Sequence, residues 1–139
     1  MKIIITSHGK LCEGIVDSYN MIVGPTSDIV TLPFYGSLEE FRKQQNKIFE
    51  DFKNEEIIVL CDLLGGTPYN EFLRSKIENL FNGEIICGYN LGMLIELLMV
   101  AMDSETKLSS AIDIALETGK SSVRLAEIAV VTEDEDIEF

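Results

Sequence analysis

A chain of 139 residues carrying a formal net charge of -13 has room for one hydrophobic core, and bare nucleic acid and anionic membrane surfaces should repel it. Hydrophobic residues make up 46% and charged residues 25%, the profile of a folded protein, not a disordered one. The longest apolar stretch, residues 91–102, is interrupted by Gly92 and Glu96 and falls short of the roughly 20 residues that span a bilayer. The N-terminal residues lack the succession of a secretory signal, so the expected compartment is the cytoplasm. Three cysteines without close pairing suggest neither a disulfide framework nor a zinc ribbon.

Taken in chain order, the pattern alternates β-rich runs with helical ones. Residues 2–7 form the first strand. A helix over 10–23 then carries Leu11, Ile15, Tyr19, Ile22 and Val23 on one face and closes at Gly24-Pro25. A second strand covers 29–34. Ser37 and Glu40 make a capping box, which opens a helix with Leu38, Phe41, Gln45, Ile48 and Phe52 along one stripe. The third strand, 57–61, is a continuous apolar run, as a central parallel strand covered on both sides requires. Asp62 stands at its end. After Leu63-Leu64-Gly65-Gly66, Thr67 is placed to cap a helix whose first position is Pro68. A fourth strand over 84–89 leads to Asn90 and an almost wholly apolar helix over 93–102, whose all-round apolarity points to a subunit interface. A further helix over 108–118 stops at Gly119. A last β-like run, 127–132, precedes an acidic tail, giving one domain over 1–132 and a tail over 133–139.

Four alternations of strand and helix predict a doubly wound α/β domain: a mainly parallel sheet of order 2-1-3-4 with helices on both faces. In that order a crevice opens at the carboxyl ends of strands one and three. Those ends carry Ser7-His8-Gly9-Lys10 and Asp62-Leu63-Leu64-Gly65-Gly66-Thr67-Pro68. An imidazole attacks through one nitrogen while the other donates its proton to an acceptor that fixes the tautomer, and a carboxylate serves best. This makes His8, the chain's one histidine, the candidate nucleophile and Asp62 its orienter. Gly65, Gly66 and Thr67 bring backbone N–H groups and a hydroxyl to a helix start, where an anion is favoured. No phosphate loop for a nucleotide and no carboxylate cluster for magnesium is present, so a phosphoryl group would come from another protein. No cofactor and no metal are expected. His8 and Cys12 share helical i,i+4 spacing, but two ligands alone make a poor zinc site. Cys61, inside an apolar strand, is a poor thiolate and reads as core.

These segments resemble the mannose, fructose and sorbose family of phosphotransferase-system enzyme IIA domains. That family's histidine-glycine pair follows the first strand, and its D-x-x-G-G-[ST]-P segment follows the third. Gly88-Tyr89-Asn90-Leu91-Gly92-Met93-Leu94 is similar to a third family segment and Glu117-Thr118-Gly119-Lys120 to a fourth, so the likeness covers nearly the whole chain. The resemblance implies that His8 accepts a phosphoryl group from the phosphocarrier HPr and passes it to an enzyme IIB subunit for sugar uptake. It implies Asp62 as the histidine-orienting carboxylate, Thr67 as a phosphate-facing hydroxyl, and Gly9, Gly65 and Gly66 beside the phosphate. It further implies a homodimer in which a C-terminal antiparallel strand, residues 127–132, crosses to the partner's sheet. With no fused IIB domain in the sequence, the next carrier is expected on a separate chain, and the membrane is met only through the transporter subunits. Two alternatives stay open: a phosphoryl-donor subunit for dihydroxyacetone kinase, and a non-catalytic regulatory module of the same fold. Leu64 and Gly92 stand where some family members have an aromatic residue and proline.

Overall fold

The computed structural model describes residues 1–128. In chain order the elements are β1 (Lys2–His8), α1 (Leu11–Ile22), β2 (Ile29–Phe34), α2 (Leu38–Asp51), β3 (Glu56–Cys61), α3 (Thr67–Ile77), β4 (Asn82–Cys87), α4 (Leu91–Ala101) and α5 (Leu108–Ser121). The four strands make one parallel sheet of order β2-β1-β3-β4, as the alternation predicts.

Side chains alternate across a strand, so β1 and β3 each feed two cores. Ile3, Ile5, Ile58 and Leu60 point to one face, where they meet Tyr19 of α1, Leu94 and Leu97 of α4, and Ala111 and Ala115 of α5. Ile4, Ile57 and Val59 point to the other, against Phe41 and Phe49 of α2 and Phe72 of α3. There the phenyl rings meet mostly edge to face, Phe41 with Phe72 at 6.0 Å and Phe49 with Phe72 at 5.9 Å. Burial on both faces is why β3 reads as an unbroken apolar run over 57–61 and why β1 carries three isoleucines in succession.

Several boundaries differ from the expected ones, each for a physical reason. The fourth strand ends at Cys87 because Gly88 turns the chain with φ 78°, which frees Tyr89 from the sheet. Gly66, not Thr67, occupies the cap position of α3, and Thr67 is already helical, with Pro68 in the first turn. Asn90 caps α4 by accepting from Met93 N at 2.9 Å, so that helix starts at Leu91, two residues early. Gly119 does not stop α5. It lies buried inside that helix, where a Cβ would strike the Met93 side chain, and so permits close packing of α4 on α5. That packing accounts for much of the apolarity of α4: Met93, Leu94, Leu97 and Leu98 are core residues, while Met99 and Met102 remain exposed.

Of the expected last strand, Glu127 and Ile128 lie in no strand, and the rest of 127–132, like the acidic tail, lies outside the described residues. No exchanged C-terminal strand is seen among the described residues, and β4 forms one edge of the sheet.

Candidate functional site

His8 is the last residue of β1, in register with Phe34 on β2, and Asp62 follows directly on Cys61, the register partner of Thr6. Parallel pairing therefore carries two residues 54 positions apart to adjacent strand ends. Beyond His8 the chain turns at Gly9, whose φ of 58° favours glycine. The turn is fixed on both sides: Gly9 N donates to Phe34 O at 2.8 Å, and the wholly buried Ser7 hydroxyl donates to Gly9 O and accepts from Cys12 N, each at 2.9 Å.

Asp62 Oδ2 accepts two bonds from the same residue, His8 N at 2.9 Å and His8 Nδ1 at 2.8 Å. Burial pushes the Asp62 carboxyl up, but the ring bond, the backbone N–H and the charge of His8 together outweigh it, and the group ends below its usual range. With that carboxylate ionised, Nδ1 carries the proton of the shared bond. The lone pair of the neutral ring is thereby assigned to Nε2. The Asp62 side chain is only 10% exposed against 48% for His8, so the pair is anchored at one end and open at the other. Asp62 Oδ1 is buried and has no hydrogen-bond partner among the described residues.

The ring is confined on two further sides. Phe34 meets it edge on, with centroids 6.2 Å apart. Gly66 is the other neighbour: a Cβ there would lie 2.8 Å from His8 Cε1 and 3.5 Å from Nε2, so only glycine lets the imidazole sit this close to the start of α3. Gly65 turns the preceding loop with φ 80°, and Asn70 Nδ2 donates to its carbonyl at 3.1 Å. Gly66 N donates to Leu63 O at 3.1 Å. Half-buried Thr67 opens the helix, whose N-terminal dipole favours an anion beside Nε2. The sheet ends thus assemble His8, Gly9, Asp62, Gly65, Gly66 and Thr67 about one crevice. Their amides are not equally free, because those of Gly9 and Gly66 already serve the loops.

The two cysteines considered as ligand or nucleophile are core residues. Cys12 and Cys61 are wholly buried, and burial pushes both thiols up. Two residues at the site carry no obvious sequence signal. Phe34 could be found from its place at the end of the strand beside β1. Tyr89, whose hydroxyl donates to Thr6 O at 3.2 Å, reaches β1 from the loop after β4 and leaves no local mark.

An imidazole held at one nitrogen, open at the other and facing a helix start is equipped to hold a phosphoryl group. Residues 2–115 match the model of a family described as the PTS system fructose IIA component, EIIA-man. The chain belongs to this family. Its match makes it a phosphotransferase-system IIA component of the EIIA-Man, mannose/fructose type.

Relatives span the same group. The mannose-specific EIIAB component of Escherichia coli K12 is 27% identical over 128 residues, covering 88% of this chain. The chain spans only 38% of that relative's length. The fructose-specific EIIA component of Bacillus subtilis is 29% identical over 101 residues, 70% of this chain and 68% of the relative. Among solved structures, a phosphotransferase component EIIA from Streptococcus agalactiae superimposes with a TM-score of 0.78 at 31% identity, covering 88% of this chain and 95% of the other. The mannose/sorbose-specific IIA subunit of Enterococcus faecalis gives 0.75 at 28% identity, covering 94% and 98%. No helix among the described residues is long and apolar enough to cross a membrane.

Proposed function

We propose that His8 Nε2 is the atom that carries the phosphoryl group, taken from phospho-HPr and passed to an enzyme IIB subunit during sugar uptake. The observation that carries this reading is the 2.8 Å bond from His8 Nδ1 to Asp62 Oδ2, which leaves Nε2 on a half-exposed ring. In the first transfer the Nε2 lone pair attacks phosphorus while the bond to the donor breaks. The ring then bears imidazolium character, and the Asp62 carboxylate beside Nδ1 stabilises it. In the second transfer the N–P bond breaks towards the acceptor and the neutral ring returns. One bond to phosphorus replaces another at each step, so the chemistry balances without a cofactor.

The phosphoryl oxygens fall between the β1 turn and the start of α3. Thr67 supplies a hydroxyl and the dipole of α3 a favourable field, while Gly9, Gly65 and Gly66 keep side chains out of the space. The relatives' names, all components of sugar systems, support an enzyme IIB acceptor over a dihydroxyacetone kinase. The reading also includes one domain over 1–132 with an acidic tail over 133–139, a cytoplasmic location, and a homodimer. Residues 127–132 would lie on the partner's β4, an edge strand of the described sheet, and exposed Met99 and Met102 support a further contact.

Incubation with phosphoenolpyruvate, enzyme I and HPr, followed by mapping of the modified residue, tests the assignment. An acid-labile phosphoryl group is expected on His8 and is absent from His8→Ala. Its persistence on that variant would refute the reading. Light scattering tests the dimer: a monomer at micromolar concentration removes the exchanged strand.

A further inference from the structure

The ladder between β1 and β3 ends on one pair, Thr6 and Cys61. Asp62 directly follows Cys61, and His8 lies two residues beyond Thr6. Both carbonyls of that last pair receive hydrogen bonds from successive residues of the loop after β4. Gly88 N donates to Cys61 O at 2.8 Å, and the Tyr89 hydroxyl donates to Thr6 O at 3.2 Å. The loop is itself anchored: the Asn90 side chain accepts from Met93 N at 2.9 Å and donates to Gly119 O at 2.8 Å, and Tyr89 packs against the core under α1, α4 and α5. Burial, with the Asp62 carboxylate among the lesser causes, pushes the phenol pKa well up, so the hydroxyl stays a donor through the neutral range.

Asp62 Oδ2 accepts from both His8 N and His8 Nδ1, whereas the buried Oδ1 has no partner among the described residues. Which oxygen meets which donor therefore depends on how the ends of β1 and β3 are set against each other. A slide of one end past the other would pass a bond to Oδ1 or open the ring bond. The neutral ring could then hold its proton on Nε2, where no lone pair is left to attack. The tie from the loop to β3 is a backbone N–H, but the tie to β1 rests on the phenol. We propose that Tyr89 is a positioning residue for phosphoryl transfer: its hydroxyl holds the end of β1 in register with β3, so that Asp62 Oδ2 keeps both His8 bonds and the lone pair stays on Nε2. This rests on the phosphocarrier reading above and adds a residue to it.

Tyr89→Phe removes the hydroxyl and keeps the ring in the core, so the folded state should survive, as circular dichroism checks. In rapid-quench assays the variant's kcat for uptake from phospho-HPr is expected to fall about threefold to tenfold with KM held. Passage to IIB should fall by the same factor, because both steps use one nitrogen. In nitrogen NMR of the neutral His8 ring, wild type should show the proton on Nδ1 and Tyr89→Phe a mixture of both tautomers, which a merely structural role would not produce. Combined with Asp62→Asn, which already removes the orienting carboxylate, Tyr89→Phe should add little further loss. An unchanged kcat and an unchanged tautomer, with wild type phosphorylated normally, overturn the positioning role alone. A raised KM with kcat held overturns it too, since Tyr89 would then be a partner contact. A full multiplicative loss in the double variant overturns the route through Asp62. A wild type that takes no phosphoryl group from phospho-HPr removes the phosphocarrier reading, and the ring spectrum then judges the hold on His8 by itself.

Discussion

Asp62 and Glu71 are carboxylates about nine-tenths covered by their surroundings, and both are held below their usual pKa range, but by different partners. Glu71 is clamped between α2 and α3. The Arg42 guanidinium donates to both its oxygens, at 2.7 and 3.0 Å, and Arg74 adds a third bond at 3.4 Å. Those bonds, set against a smaller cost of burial, lower its pKa. A guanidinium does not titrate in a protein, so this arrangement is a permanent strap. Asp62 instead concentrates two bonds on one oxygen, both from a residue whose ring can change its charge and whose far nitrogen is open. The difference teaches that coverage and a shifted pKa do not by themselves mark chemistry. What marks it is a partner that has a second, nucleophilic atom free.

Changes at the two carboxylates should therefore separate transfer from stability. The largest effect is expected at His8→Ala, which removes phosphate uptake altogether while circular dichroism stays native. Asp62→Asn should slow transfer by about 100-fold or more, because an amide cannot stabilise the imidazolium that forms. A normal rate in that variant would end the contrast with Glu71. Gly66→Ala places a methyl against His8 Cε1 and displaces the ring, and single-turnover rates should fall by about tenfold to a hundredfold. Glu71→Gln should leave transfer within about twofold of wild type and cost about 1–3 kcal/mol of stability, read from thermal or urea unfolding. The smallest effect concerns acid. Both groups have folded pKa values below their unfolded ones, so their stabilisation is complete above about pH 5 and is lost as pH falls through the folded values. The acid limb of the unfolding curve should be shallower in Glu71→Gln.

Much of the site was legible from strand ends alone. A periodicity that places β1 and β3 at the centre of a 2-1-3-4 sheet already brings His8 and Asp62 together, and the glycine pair after β3 marks a close approach. Helix bounds were less legible where a glycine has two uses. Gly119 reads as a stop signal because its backbone freedom commonly ends helices, whereas here the missing Cβ admits Met93. Ser37 and Glu40 read as a reciprocal cap, but only the serine half forms, since Gln44 draws the carboxylate away.

By itself the sequence determined the alternation of elements, the two-sided burial of the central strands and the residue types at their ends, because periodicity and turn chemistry act over a few neighbouring positions. The tertiary structure alone decided that one Asp62 oxygen takes both His8 bonds, that Tyr89 reaches Thr6 from 83 positions away, and that Arg42 straps Glu71 across 29. Such contacts depend on which elements the sheet order and helix packing set side by side, and separations of that length leave no trace in local pattern.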